Sequence, residues 1–456
     1  MRLDKYICLG GRYNGKIIRR IKYNGYYIYP NTYSKYYIYE VEIPKDNTTI
    51  YLDSTDRIGL PQMEVLYDFG DGVVNPTVGT INIGGENYVT YTYEKAGTYQ
   101  VRTTESPYDW HHGYIKNIIA LRSDLKDASN LFEHNNGLIS FENLQVESLD
   151  EINTMEYMFR GCENLETVIF IETDFHDLSN MHGMFYSCEN LDTVDFSYCN
   201  LSNLSSMDYM FADCENLDTV DFSHCDLSNL SNIDSPFVNC YRLKNVNFSH
   251  CNLSSITNLF DAFYGGTVRS HAQSVDFSYC NLSGLTTLEQ AFFEAPTVTW
   301  DFSNANLSNV TSLNYTFAYS SLKRLNLSGA TFGAITDMEG AFAACPLLEE
   351  INLSTLDTSR VTSMRQLFAQ CPLLKSVNLS SFDLTNVNDV LQMFSECPNL
   401  HIIRLDNCNN ATIKKIIESY NFPTGEIEGI TRRIYCKQTN ATGLTAPDGW
   451  QFEYID

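Results

Sequence analysis

At 456 residues the chain has room for about two to four domains and an ample core. Its 56 acidic residues against 30 Lys and Arg give a net charge of −26, which repels a phosphate backbone and argues against nucleic acid as a partner. No run approaches the ~18 apolar residues of a membrane-spanning helix, so no membrane insertion is expected.

The first eleven residues hold no apolar core of signal-peptide length and no small-residue cleavage site. The protein is therefore expected to stay in the cell that makes it, to leave by lysis, or to be the trimmed form of a secreted chain. Residues 1–45 hold ten Tyr and nine Lys or Arg against three acids, a local net charge of +6. Two runs echo each other, Arg12-Tyr13-Asn14-Gly15 and Lys22-Tyr23-Asn24-Gly25, flanked by β-branched and aromatic residues. Asn-Gly in that setting is a hairpin signal. This stretch is read as a small β-rich module that either docks on the next domain or anchors the protein to an assembly. Such tandem elements are similar to N-terminal segments of some phage virion proteins, which implies virion or surface assembly proteins as partners.

Residues 46–108 change in character. Tyr67-Asp68-Phe69-Gly70-Asp71-Gly72 is a tight-turn signal, and Tyr91, Tyr93, Tyr99 and Val101 alternate as half-buried strands. Together these motifs resemble the PKD family of β-sandwich modules, which implies a spacer or protein-contact domain. Asp68 and Asp71 make turn hydrogen bonds in the plainer reading and hold a calcium ion in the sharper one. Residues 109–126 lead onward. Adjacent His111 and His112 point to different faces, which favours a loop or packing role over a metal site.

Residues 109–410 are assigned to one repeat array. Its anchor is a Phe at 132, 159, 185, 211, 237, 263, 292, 317, 342, 368 and 394, with gaps of 25–29 residues. A period in this range signals a solenoid. The first half of each unit fits the leucine-rich pattern, as at Leu243, Val246, Phe248, Cys251 and Leu253. Val194 and Phe196, with polar residues between, predict a short strand with one face inward. Leu204, Met207, Phe211 and Cys214 recur at three- and four-residue steps and predict a helix. Pro346, Pro372 and Pro398 then stand where that helix must have ended. The expected fold is an α/β solenoid of about 11 leucine-rich repeats of 25–29 residues, preceded by small all-β domains.

Units such as Asn180-Met181-His182-Gly183-Met184-Phe185-Tyr186-Ser187-Cys188 resemble the BspA-type leucine-rich repeats of bacterial surface proteins. That resemblance implies a scaffold for adhesion to host proteins, cells or glycans, and no reaction.

Seven cysteines stand three residues after an anchor Phe: Cys162, Cys188, Cys214, Cys240, Cys345, Cys371 and Cys397. Cys199, Cys225, Cys251, Cys280 and Cys408 fill the N/C site of the leucine-rich pattern. Small or apolar residues replace them elsewhere, for example Ala295, Ser320 and Ala305. The sites therefore want a compact buried group, and a free thiol is one. Disulfides are the alternative, and the spacing lacks the paired Cys-x-x-Cys of a zinc site. After Asn410 the repeat stops. Residues 411–456 are predicted to cap the coil with a helix carrying Ile413, Ile416 and Ile417 on one side, then two strands near 430–436 and 449–455.

No phosphate-binding glycine loop, Gly-x-Ser-x-Gly elbow or His-Glu-x-x-His occurs. No catalytic residue, metal site or cofactor is assigned, because carboxylates follow the repeat and do not form one irregular cluster. Repetition does produce columns. Asp195, Asp221, Asn247, Asp276 and Asp301 are expected to stack outward on the strand face about 4.8 Å apart. Ser197, Ser223 and Ser249 follow, then Tyr198, His224, His250 and Tyr279. These residues form the candidate ligand-binding strip, suited to sugars through carboxylates, amides and flat aromatic faces. The plainer alternative is that Asp, Asn and Ser satisfy turn backbones. The function expected is a non-enzymatic adhesion protein of a phage virion. It attaches by residues 1–45 and presents the solenoid to a host-surface glycan or protein. A bacterial cell-surface adhesin, an intracellular protein-binding scaffold, and assembly as a homo-oligomer remain open.

Overall fold

The computed structural model describes residues 125–142, 149, 151–231, 233–257, 259, 262–263, 272–425 and 427–455, with Ala96 and the backbone of the strands before residue 125. The chain divides into two compact units, residues 1–201 with 210–217, and residues 202–209 with 218–456. The Asp68–Asp71 turn beyond Asp68, which ends strand Tyr67–Asp68, and the Trp110-His111-His112 run lie outside the described residues.

In the first unit, strand pairs Arg12–Tyr13 with Lys16–Ile17 and Ile21–Tyr23 with Tyr26–Ile28 bracket the two Asn-Gly pairs. Strand Tyr37–Ile43 runs antiparallel between Gly97–Thr103 and Ile115–Ala120. Strand Glu86–Tyr93 runs between Thr48–Asp53 and Gly79–Ile83. The coil begins with parallel strands Ser140–Glu142, Thr167–Ile169 and Thr193–Asp195.

The second unit carries the same parallel β-solenoid. Strands Thr219–Asp221, Asn245–Asn247, Ser274–Asp276, Thr299–Asp301 and Arg324–Asn326 pair in order. A second sheet follows with Glu350–Asn352, Ser376–Asn378, Ile402–Arg404, Arg432–Cys436 and Trp450–Tyr454. Most strands bury only their middle residue, Val194 or Val220 for example, because three residues in extended form turn one side chain inward and two outward. Trp300 takes that middle position in its own rung and packs on Phe292, 4.1 Å between ring centroids.

Among the described residues the helix expected in each repeat is absent, and this corrects the α/β assignment. The Met-Phe segment is a run of tight turns whose backbone serves two partners alternately. Tyr157, Phe159 and Gly161 donate their N–H groups to the next rung, at His182, Met184 and Tyr186, over 2.8–3.0 Å. Met158, Arg160 and Cys162 donate three residues back within their own rung, over 3.0–3.2 Å. A helix would send each of them four residues back along its own axis. The alternation requires left-handed residues, and Tyr157 and Gly161 stand at φ +53° and +67°. Tyr315, Tyr319, Ala344, Gln366, Gln370, Gln392 and Glu396 repeat those conformations in the second unit.

Glycine occupies such a site where the preceding rung places a ring across it. A Cβ on Gly183 would stand 2.3 Å from Tyr157, and one on Gly340 would stand 2.4 Å from Tyr315. Each tyrosine crosses its glycine to hydrogen-bond the residue just before it, His182 at 2.8 Å and Glu339 at 3.1 Å. Ala344, at φ +54°, gives a test of the turn geometry. Ala344→Gly is expected to stabilise the protein by about 0.5–1 kcal/mol, because glycine enters the left-handed region without the Cβ penalty. In a helix the same change would cost about 1 kcal/mol, so urea denaturation separates the two by sign.

The core consists of aligned columns. Phe132, Phe159, Phe185 and Phe211 stack at 5.4–5.5 Å. In the second unit Phe317, Phe342, Phe368 and Phe394 stack at 5.5–5.7 Å. A parallel column holds Phe222, Phe248, Phe277 and Phe302, each 5.3 Å from the next. Among the described residues all thirteen cysteines are buried thiols. Several of these thiols donate to carbonyls of the preceding rung, as Cys188 does to Phe159 at 2.9 Å and Cys251 to Phe222 at 2.9 Å. Ser320, standing in a cysteine position, donates to Phe317 at 2.7 Å and lies 3.7 Å from the Cys345 sulfur.

The one α-helix among the described residues is Asn410–Ile417. Asn409 caps it by accepting from the Thr412 N–H, and Ile413, Ile416 and Ile417 are buried as expected. Arg432 closes the end of the coil. Its guanidinium lies 5.4 Å from the Trp450 ring and donates to Pro398, Leu400 and Gly425 carbonyls.

Candidate functional site

The Asp/Asn column is where the sequence places it, and its side chains cap turns. In each rung an Oδ1 accepts the N–H two residues on. The distances are 2.8 Å for Asp195 to Ser197, 2.7 Å for Asp221 to Ser223 and 2.9 Å for Asn247 to Ser249. Asp276 and Asp301 accept from Ser278 and Ser303 at 2.7 Å. These are Asx turns, which a short carboxylate or amide forms on its own backbone. Neighbouring rungs also couple: Asn247 donates to Asp221 at 3.2 Å, and Asn326 donates to both oxygens of Asp301 at 3.1–3.2 Å. Amides beside carboxylates turn like-charge repulsion into a donor–acceptor pair. All five ladder residues are half-buried, flanking the inward middle residue of their strands.

The next column is different. Its residues are exposed, and each sits in the left-handed conformation that ends the Asx turn. Tyr198 in the first unit has φ +60° and is 57 % exposed. In the second unit His224, His250 and Tyr279 have φ +57° to +61°. Their rings form one stack. His224 and His250 lie 4.4 Å apart at 8°, and His250 and Tyr279 lie 4.6 Å apart at 3°. Stacking covers the ring faces and leaves the nitrogen and hydroxyl edges along the surface. The flat faces expected to receive a sugar are therefore largely taken by neighbouring rings within this stack.

Sequence reasoning missed a second polar ladder. Asn200 donates to Asp174 at 2.8 Å in the first unit. In the second, Asn252 donates to Asp226, Asn281 to Asn252 and Asn306 to Asn281, each at 3.1–3.2 Å. The signal is present as the recurring triplets Cys199-Asn200-Leu201, Cys225-Asp226-Leu227 and Cys251-Asn252-Leu253. A polar residue held at one rung offset between two buried neighbours must find its partner in the adjacent rung.

A further set lies on the Met-Phe side. Arg160 sits 5.2 Å from the Tyr157 ring and 5.7 Å from Tyr186, and pairs with Glu133 at 3.2 Å. A hydrogen bond to Asp213 holds the Tyr186 hydroxyl above its ordinary pKa. Among the described residues no group of three or more His, Cys, Asp or Glu is placed to hold a metal, and no helix is long and apolar enough to cross a membrane.

One family model matches the repeat region. It is described as Mycoplasma protein of unknown function, DUF285, and matches residues 126–245, 153–275, 266–329 and 320–422. No curated protein matches the chain.

Proposed function

This chain belongs to the DUF285 family, and from that premise we propose that it is a non-enzymatic binding protein whose coil presents its strand side to a partner on a host surface. The carrying observation is the exposed stack of His224, His250 and Tyr279 on a strand face whose Asp and Asn groups already serve turns. Ring edges repeat at rung spacing, so they suit a ligand with several hydrogen-bonding groups in line. A protein loop or a glycan chain offers such a row.

In sequence the units are BspA-type leucine-rich repeats, here built from turns in place of a helix. We read residues 46–108 as a PKD-like spacer and the basic, Tyr-rich residues 1–45 as the attachment module. That order of anchor, spacer and reader favours a phage virion protein. The BspA-type likeness favours a second reading, a bacterial cell-surface adhesin with the same binding face. Removing residues 1–45 separates them: a virion protein then fails to join purified particles, and retention on the particles removes the anchor.

Glycan arrays and host-cell binding test the face itself. The triple variant His224→Ala, His250→Ala, Tyr279→Ala is expected to lose about tenfold or more in affinity, since exposed rings at an interface centre carry much of its energy. Binding that survives the triple change removes this face from the proposal.

A further inference from the structure

We propose that the second unit contains a flexible joint between the rung at Arg324–Asn326 and the rung at Glu350–Asn352. The two strands belong to different sheets. Up to Asn326 the backbone ladder is regular, with Phe302 donating to Asn326 at 2.8 Å and Asn304 to Ser328 at 2.9 Å. It resumes beyond, with Leu353 donating to Asn378 at 2.9 Å. Among the described residues no backbone hydrogen bond joins residues 322–334 to 349–361. Leu325 and Phe332, whose equivalents are buried in regular rungs, are only half-buried here. Behind the gap lies an apolar cavity of about 20 Å³ lined by Leu307, Leu325, Leu327, Phe302, Phe317 and Phe332.

The Met-Phe side of the same two rungs stays joined. Tyr315, Phe317 and Tyr319 donate to Glu339, Ala341 and Ala343, each at 2.8 Å. Phe317 and Phe342 stack at 5.7 Å. One edge is therefore a hinge line and the opposite edge is open. Chain length explains the position. Eight positions separate Phe292 from Trp300 and Phe317 from Leu325, whereas nine separate Phe342 from Ile351 and Phe368 from Val377. Two short corners in succession leave the strand at Leu325 out of step with the full-length rung that follows.

The opening does not admit an extra strand. Some Cα atoms of the two lips lie within 8 Å, less than the roughly 9.6 Å of two ladder spacings. The lips carry opposite charge, Lys323 and Arg324 on one and Glu349 and Glu350 on the other. Only the Lys323–Glu349 pair makes contact, at 3.5 Å, and it is exposed and thus weak. Few hydrogen bonds and a thin apolar contact are the conditions for low local stability. The joint lets the strand side of the coil change its curvature while the Met-Phe side stays closed.

Spin labels on the full chain test this, at positions of the equivalent serine column. The pair Ser278→Cys and Ser354→Cys spans the gap in three rung steps, and Ser249→Cys with Ser328→Cys spans three intact steps, all four positions being half-buried or exposed. Cys8→Ser is included, and the native repeat thiols are buried from the reagent. The spanning pair is expected to give a distance distribution ~2-fold broader than the control, reflecting collective motion about the hinge line. Added salt is expected to broaden it further. Inserting Asn after Ser321 restores the full corner and is expected to narrow it to the control width. Equal widths in the two labelled parents would overturn the joint, whether or not the insertion variant folds. Salt-insensitive broadening that the insertion leaves in place would overturn the corner as its cause.

Discussion

Phe368→Ala is expected to lower the unfolding free energy by about 3–5 kcal/mol, the range for removing a fully buried aromatic ring from a packed core. Phe368 is fully buried and stacks on Phe342 and Phe394, 5.5 Å from each. The loss includes apolar contact on both ring faces and a cavity that rigid neighbouring rungs do not collapse. Phe368→Leu keeps much of the volume and is expected to cost less. Urea denaturation measures the total. Hydrogen exchange locates it, because a coil couples each rung chiefly to its neighbours. Protection is expected to fall most for the amides of Phe342 and Phe368, which bond the next rung at Leu367 and Met393. A loss below about 1 kcal/mol would mean that the column is not what holds the rungs.

That column was readable from spacing alone. An apolar side chain recurring every 25–29 residues has few ways to be buried except against its own copies. The strand was readable for a similar reason, since Val194 and Phe196 alternate with polar residues. The Met-Phe segment was not. Met207, Met210, Phe211 and Cys214 are all fully buried, and their steps of three and four satisfy a helix as well as a run of turns. The deciding sign lay in the residues between. Glycine appears at 161, 183 and 340, in alternate positions where a helix has no use for it, and each has a positive φ. A helix buries its hydrogen bonds within itself, whereas these turns spend half of theirs on the next rung, and no single rung records that choice.

The candidate site divides in the same way. Asp-Phe-Ser reads as an Asx turn from local chemistry, and Asp195, Asp221 and Asp276 behave so. The stacking of His224 on His250 and Tyr279 depends on rung spacing and on three left-handed backbones in register. Sequence gave their alignment; the face-to-face contact, which moves hydrogen-bonding edges outward and hides flat faces, is a property of the assembled coil.

The cysteine columns lead to the second large effect, which is alkaline unfolding. Burial pushes the thiols of Cys162, Cys199 and Cys408 up to about 12 from an ordinary 9.0. An unfolded chain releases these protons near its ordinary value, while the folded one keeps them. Between about pH 9 and 12 the unfolded state therefore binds fewer protons, and stability falls as pH rises by about 1.4 kcal/mol per thiol per pH unit. Below the unfolded value the full contribution is present. Cys162 and Cys199 share the first unit and together are expected to cost it about 3 kcal/mol per pH unit, to which buried Cys188, also held well above its ordinary value, adds, against a typical total of about 5–15 kcal/mol. Circular dichroism across pH 8–12 is expected to show a cooperative loss of structure above about pH 10. The double variant Cys162→Ala, Cys199→Ala is expected to keep less stability at neutral pH and to show a shallower fall with pH. Tyr186, whose hydroxyl Asp213 also holds above its ordinary value, is common to both proteins and leaves the difference to the thiols. An unchanged slope in the double variant would place the alkaline sensitivity elsewhere, and a fold intact at pH 12 would mean that the buried sulfurs do not hold their protons against solvent.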